Sequence, residues 1–269
     1  MDTAPAPDWT ATNLVGVPPG LIGSAAFNAH PVDLQIAGTR ASARGLFDLL
    51  EASGTLARCA QVFEHFLEIS FGLAQPPVGG AGRRRWRTSY RKLLEGWGFD
   101  SNAPPAAVLK SWVQSRFGLV PTFHGGRLGR YPSAAWINYI EQKHSSRYHG
   151  NCIDLQLDLL YEYCQWAARR HFAPGWECIA AWRGIDADEA EGVSSGSLRE
   201  GQALLRMNNV VSFSLSRAHA EPFGDWIVEA HVPVQKLLFF PGLLGHSILA
   251  GEGELIALGG DYEVRASYW

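Results

Sequence analysis

Residues 208–233, NNVVSFSLSRAHAEPFGDWIVEAHVP, show the clearest strand pattern in the chain. Apolar and polar residues alternate along most of it, which is the two-residue period of a half-buried strand. Similar short runs surround it: WECIAAWRG (176–184), KLLFF (236–240), GELIALGG (253–260) and YEVRASYW (262–269). These runs predict a set of short β-strands in the C-terminal third of the chain.

The part of the chain before these strands has the spacing of amphipathic helices, with apolar residues three and four positions apart. Residues 153–171 give the strongest helical pattern, and Pro104 opens another helix. Helical runs followed by strand runs favour an α+β fold. We expect three segments in one compact unit: a mostly irregular N-terminal arm (1–41), a helical region (42–172) and a β-rich core (173–269).

Composition excludes several classes of protein. The chain has 269 residues, of which 46% are apolar and 18% charged, so wholesale disorder is excluded. A net charge of −3 argues against a nucleic-acid partner. No apolar run approaches the ~20 residues of a transmembrane helix, and the start shows no secretory signal. Four cysteines without a CxxC pair predict reduced, buried thiols and a cytoplasmic location.

Three motifs do not support a site of their own. GVSSG (192–196) fits the serine-hydrolase elbow, but an acidic stretch precedes it where that motif needs a buried strand. HGGRLGR (124–130) matches no nucleotide-binding loop and is interpreted as a loop. The nine histidines show no metal-ligand spacing, so no metal site is predicted.

A basic cluster at residues 83–92 alternates with Trp86 and Tyr90. The cluster is compatible with a solvated helix face, with docking of an acidic protein partner, or with nucleic-acid binding. The modest positive charge of this half of the chain favours a protein partner over a phosphate-tracking groove.

Functional residues are expected in the β-rich third. Arg183, followed by Gly184, lies at the end of an apolar run, where a guanidinium can bind a phosphate or a ribose hydroxyl. In the next run, alternation places Ser212 and Ser214 on one strand face and Phe213 on the other. In chain order, Arg183 thus comes before the hydroxyls of Ser212 and Ser214, which lie on one face of their strand.

Two carboxylates, Glu252 and Glu254, stand at the mouth of a later apolar run. In an extended backbone they share a face, with Cβ atoms ~6–7 Å apart. A carboxylate at the lip of a buried strand can be partly desolvated and held in place. Ser212 precedes Phe223 by 11 residues and Glu254 by 42.

This order of Arg, Ser-x-Ser and Glu-x-Glu resembles the Arg-Ser-Glu class of mono-ADP-ribosyltransferases over about residues 176–269. The last two intervals are similar to those of arginine-modifying toxins. Over its whole length the chain is similar to the NAD-dependent dinitrogenase-reductase ADP-ribosyltransferases, on stretches such as GEGELIALGGDYEV (251–264). That resemblance implies a two-sheet core, NAD as co-substrate, an arginine of the nitrogenase iron protein as acceptor, and reversible inactivation of nitrogenase. It also implies a PII signalling protein as an activator.

The resemblance assigns roles to individual residues. Glu254 stabilises the ribosyl cation and bonds the ribose 2′-OH, and Ser212 orients Glu254. Glu252 binds the incoming guanidinium, and the loop at 241–251 recognises the target. The residues expected to bind NAD are Arg183, Gly184, Ser212, Ser214 and Phe223.

Two departures from the class pattern stand out. Phe213 occupies a position that often holds Thr, and Trp226 stands where a second arginine is expected. Two other functions stay open from the sequence. One is an arginine-specific ADP-ribosyltransferase with a different protein target, and the other is a non-catalytic, partner-binding module of the same fold.

Overall fold

The structure, a computed structural model, describes residues 13–73, 88–145, 147–245 and 253–268. Helices precede strands, so the predicted α+β class is confirmed. Nine α-helices lie before the first strand in the described ranges: α1 (Pro19–Ile22), α2 (Ala25–Ala29), α3 (Thr39–Ser42), α4 (Arg44–Glu51), α5 (Leu56–Phe71), α6 (Tyr90–Phe99), α7 (Pro104–Phe117), α8 (Ala134–Lys143) and α9 (Ile153–Ala167). A π-helical turn, Ala168–Phe172, extends α9.

Short polar residues and glycines set the helix ends. The hydroxyls of Thr55 and Ser89 accept from backbone N–H groups in the first turns of α5 and α6. Gly72 and Gly118 end α5 and α7 in the left-handed conformation that glycine adopts without steric cost. No helix in these ranges is long and apolar enough to cross a bilayer.

Helix α9 lies at the centre of the molecule, and nearly all of its residues are buried. Its polar side chains bond the backbone of the C-terminal third. The Tyr161 hydroxyl donates to Gln235 O at 2.9 Å, and Tyr163 donates to Leu243 O at 3.0 Å. The Gln165 amide donates to Val234 O at 3.0 Å. Helices and strands therefore share one buried core, while the three-segment division stays a prediction.

The described C-terminal third forms six antiparallel strands: β1 (Cys178–Ile185), β2 (Val193–Ser197), β3 (Gln202–Ser214), β4 (Trp226–Pro233), β5 (Leu237–Phe239) and β6 (Glu254–Tyr268). Their order is β2-β3-β1-β4-β6-β5, and β3 pairs with β6 as well. The long strands β3 and β6 thus join the expected two sheets into one hydrogen-bonded system. Two short helices lie between strands: α10 (Ala187–Ala190) and α11 (Arg217–Ala220).

Residues 254–260 and 262–268, from two separately predicted runs, belong to the single strand β6. Gly260 permits this continuity, since its φ of 114° suits glycine and a Cβ there would lie 2.4 Å from Gly23 O. The next residue, Asp261, donates its N–H to Gly23 O at 2.7 Å. The strand therefore passes directly over the N-terminal arm.

The described part of the N-terminal arm is more ordered than predicted. It forms α1 to α3 and buries Ile22, Phe27, Leu34 and Ile36 in the core. Those apolar side chains are spaced too irregularly for a helical period, so the sequence pattern did not reveal them.

The prediction of four buried cysteines holds only in part. All four thiols are free, and Cys59 and Cys164 are buried. Cys178 is half-buried and Cys152 is exposed. Cys152 precedes α9 in a left-handed backbone conformation, with φ of 52°, at a surface turn.

Candidate active site

A cavity of about 1100 Å³ lies between the helical region and the sheet. One wall comes from β1, β3 and the first residue of β6. The other wall comes from the end of α6 and from the loops before α7 and α8. Strands β1 and β3 pair only at Trp182 and Ser214, and they separate beyond that pair beside the cavity. The cavity therefore occupies a split in the sheet.

The pairing of β3 with β6 brings two predicted residues together. Ser214 lies opposite Glu254, and Ser212 lies opposite Ile256. Because side chains alternate along a strand, Ser212, Ser214 and Glu254 share a face. The Ser212 hydroxyl donates to Glu254 Oε1 in a short hydrogen bond. As predicted, Phe213 packs on the opposite face, against Tyr262.

Trp97, near the end of α6, completes this hydrogen-bond chain from the helical side. Its indole Nε1 donates to Ser212 Oγ at 2.7 Å. The side chain is 5% exposed and lines the cavity. Trp97 belongs to none of the motifs described above, and nothing in the sequence placed it beside Ser212.

Arg183 extends from β1 across the split in the sheet. It donates through Nη1 to Ser212 O at 2.9 Å and through Nη2 to Glu189 Oε1 at 2.5 Å. Its Nε is buried and has no hydrogen-bond partner among the described residues. Arg183 is therefore bonded to the strand that carries Ser212, and one buried donor remains available.

The acidic segment 186–191, which contains α10, also engages a second arginine. Arg127 of the HGGRLGR loop pairs with Glu191 at 2.5 Å and donates to Asp188 O at 3.1 Å. Arg127 and the acidic segment both line the cavity. The loop interpretation is correct, but no sequence pattern indicated that Arg127 lines the same cavity as Arg183.

The other predicted binding residues also line the cavity. Phe223 is 59% exposed, and its ring is accessible. Gly184 has a packing role, because a Cβ there would lie 2.4 Å from Ala220 O. Ser214 is buried and accepts from Ser216 N at 3.1 Å. The exposed Phe99, which belongs to no sequence motif, stands on the opposite wall.

Some predicted features lie outside the described residues. These are Glu252, residues 246–251 of the predicted target loop and residues 83–87 of the basic cluster. The described parts of the loop and the cluster meet at Glu64. Arg91 pairs with the Glu64 carboxylate at 2.7 Å, and Gly245 N donates to it at 3.2 Å. Arg91 is thus part of an ion pair rather than a solvated charge.

A buried lysine lies behind Trp97. Lys110 Nζ stands 5.9 Å from the centre of the indole ring and donates to Ser101 O and Phe123 O at 2.8 and 2.9 Å. Burial lowers the pKa of Lys110 to about 7, although Asp100 acts against this shift. Burial also lowers the pKa of His124, whose Nδ1 faces Lys110 Nζ at 3.4 Å.

Comparison with known proteins decides the family. The sequence model of the family described as dinitrogenase reductase ADP-ribosyltransferase matches residues 12–266. The chain belongs to this family. A relative named NAD(+)–dinitrogen-reductase ADP-D-ribosyltransferase, from Rhodospirillum rubrum, is 47% identical over 264 residues, which cover 96% of this chain and 95% of the relative. No solved structure matches the chain.

Membership of the ADP-ribosyltransferase family makes the cavity the natural candidate for the active site. Ser212, Glu254 and Arg183 come from three different strands and meet there. The described residues include no group of three or more histidine, cysteine or acidic side chains that could hold a metal ion.

Proposed function

We propose that this protein transfers ADP-ribose from NAD to an arginine of dinitrogenase reductase and thereby inactivates nitrogenase reversibly. One observation carries the proposal. A chain 47% identical over nearly its whole length to a named dinitrogen-reductase ADP-ribosyltransferase also has a hydrogen-bonded Ser212–Glu254 pair in a large cavity. The acceptor residue and the reversibility rest on the family resemblance.

The cavity suits a dinucleotide. Its volume of about 1100 Å³ slightly exceeds the usual range for ligand pockets, which is about 300–1000 Å³. The buried, unpartnered Nε of Arg183 offers a donor to an anionic oxygen. Arg127 supplies a second guanidinium on the same cavity. It can take the place of the second arginine that the class pattern expects where this chain has Trp226. The accessible ring of Phe223 can stack on a flat base such as nicotinamide.

Glu254 has the central chemical role. Cleavage of the nicotinamide glycosidic bond passes through a ribosyl cation, as in glycoside hydrolysis. A carboxylate already fixed in place stabilises this charge without reorganising as it develops. The hydrogen bond from Ser212 fixes Glu254 Oε1, so we assign Glu254 to the ribosyl cation and Ser212 to its orientation.

The acceptor needs a second carboxylate. A guanidinium has a pKa above ~12, so it is a poor nucleophile until a base polarises it. We assign this task to Glu252, two residues before Glu254, because Glu-x-Glu in this class implies an arginine acceptor. The loop at 241–251 is then placed to contact the target.

The proposal also includes where the protein acts and which protein activates it. The four free cysteines support action in a reducing cytoplasm. The family resemblance adds a PII signalling protein as an activator, and this partner stays a prediction.

The direct test is incubation of the purified protein with labelled NAD and purified dinitrogenase reductase, followed by mass spectrometry of the acceptor. The proposal expects one ADP-ribosylated arginine on dinitrogenase reductase. Label on other proteins alone would favour an arginine-specific transferase with a different target. An absence of both label and nicotinamide release would favour a non-catalytic, partner-binding module.

A further inference from the structure

The indole of Trp97 and the carboxylate of Glu254 bind the same hydroxyl group. Trp97 Nε1 donates to Ser212 Oγ at 2.7 Å, and Ser212 Oγ donates to Glu254 Oε1. An indole N–H is a donor only, so it must occupy an acceptor position of the serine oxygen. The direction of the chain is therefore fixed from Trp97 to Ser212 to Glu254.

This direction matters because a serine hydroxyl has one proton and rotates freely about its C–O bond. With the indole N–H on its oxygen, the hydroxyl is left to direct its proton at the carboxylate. A donor to the oxygen also polarises the O–H bond and strengthens the hydrogen bond that follows. Loss of the indole N–H would leave the hydroxyl free to rotate and Glu254 Oε1 less firmly held.

The surroundings of Trp97 hold the indole at a fixed position. The preceding residue, Gly96, lets α6 pack closely on α7, since a Cβ there would lie 2.6 Å from Pro105. Lys110 Nζ lies over the indole ring at 5.9 Å and is itself bonded to two backbone carbonyls. The helical region thus presents one rigid donor to the strand that carries Ser212.

We propose that Trp97 is a positioning residue for Glu254 and acts through the Ser212 hydroxyl. The inference rests on the proposed function, because it assigns Glu254 the stabilisation of the ribosyl cation. It gives the helical region a part in the chemistry in addition to any role in recognising the target. Trp97 contributes to the rate of NAD cleavage and not to the affinity for NAD.

The test is a double-mutant cycle of Trp97→Phe and Ser212→Ala, read out as steady-state nicotinamide release from NAD without a protein acceptor. Trp97→Phe is expected to lower kcat about tenfold, the scale of one hydrogen bond, with KM for NAD unchanged within about twofold. Ser212→Ala removes the link to Glu254, so the double variant should be no slower than Ser212→Ala alone.

Two further proteins separate positioning from folding. Trp112→Phe removes another buried indole, whose Nε1 donates to Asp158 at 2.7 Å on α9, and should leave kcat unchanged. Replacement of Trp97 by 3-benzothienylalanine keeps the ring shape and removes only the N–H donor. It should lower kcat as much as Trp97→Phe does.

Three results would decide against the inference. These are a wild-type kcat in the benzothienylalanine protein, an equal loss of kcat in Trp112→Phe, and losses from Trp97→Phe and Ser212→Ala that multiply in the double variant. If the wild-type protein released no nicotinamide either with or without dinitrogenase reductase, the proposed function itself would fail. If the wild-type protein were active and Trp97→Phe equally fast, only the role of Trp97 would fail.

Discussion

At the scale of single residues, Glu252 and Glu254 are close neighbours in the chain, and we assign them different tasks. Glu254 is held by Ser212 in the cavity, and we assign it to the cleavage of NAD. Glu252 is assigned to the incoming guanidinium, a substrate that enters only for transfer. The two tasks separate experimentally because NAD can be cleaved with water as the acceptor.

Glu252→Gln is therefore expected to lower transfer to dinitrogenase reductase about a hundredfold, the scale of one general base, and to lower nicotinamide release far less. Parallel assays with and without the protein acceptor measure the two rates. Glu263→Gln, at an exposed position of β6, is the matched control and should change neither rate. Equal losses of both rates in Glu252→Gln would remove its role at the acceptor.

The sequence predicted the residues that belong to short motifs on strands. Arg183, Ser212 and Glu254 lie in runs whose alternation and order are visible in the chain, and the structure brings them together. Trp97 and Arg127 belong to no such motif. They reach the cavity from the helical region through tertiary packing, and a pattern read along one chain does not contain that packing.

At the scale of elements, the acidic segment 186–191 covers the arginines of the cavity. Glu189 pairs with Arg183 and Glu191 pairs with Arg127, each at 2.5 Å. A diphosphate that binds these guanidinium groups must compete with the two carboxylates. The segment is partly exposed, so each ion pair stabilises the contact between carboxylate and guanidinium by about 1 kcal/mol or less.

Glu189→Gln is therefore expected to lower the KM for NAD by up to about fivefold, because a competing carboxylate is removed from Arg183. Nicotinamide release at varied NAD concentration measures this, and the difference from wild type should shrink at high salt. Glu200→Gln, at an exposed position that does not line the cavity, is the control. A higher KM in Glu189→Gln would show that Glu189 positions Arg183 for NAD and does not compete.

Periodicity was most reliable for long, regular elements. It predicted α9 and β4 because apolar residues recur three and four positions apart in α9 and at alternate positions in β4. It divided β6 into two runs because Gly259 and Gly260 interrupt the apolar pattern. The short helices of the N-terminal arm escaped prediction because four or five residues do not define a period.

At the scale of the whole molecule, the shared core encloses two lysines, Lys110 and Lys236. Lys236 Nζ lies 5.4 and 4.8 Å from the rings of Phe27 and Tyr262, and Gly259 O lies 3.4 Å away. Burial lowers the pKa of Lys236 to about 7, although Asp261 acts against this shift. The pKa of Lys110 is lowered to about 7 by the same cause.

These lysines make stability depend on pH. Below pH 7 both are protonated in the folded and unfolded states, and the cost of burying the charge is fully present. Between about pH 7 and their usual pKa near 10.4, the unfolded state binds more protons. The free energy of unfolding should therefore rise with pH, by up to about 1.4 kcal/mol per pH unit for each lysine.

Lys236→Met should be more stable than wild type at pH 7, and its unfolding free energy should rise less steeply up to pH 8.5. Above that range the buried cysteines, whose pKa values are raised by burial, act in the opposite direction. Urea titrations at pH 7.0, 7.75 and 8.5 measure this, with Lys92→Met on α6 as the control. An unchanged pH slope in Lys236→Met would show that Lys236 is not the source of the dependence.

In the proposed mechanism, Glu254 is the carboxylate that stabilises the ribosyl cation. Glu254→Gln keeps the shape of the side chain and removes its charge, so the fold should persist while the chemistry stops. The decisive measurement is nicotinamide release and labelled transfer to dinitrogenase reductase, with circular dichroism and Tm recorded on the same sample. We expect both rates to fall about a thousandfold at unchanged Tm. Wild-type rates in folded Glu254→Gln protein would contradict the assignment.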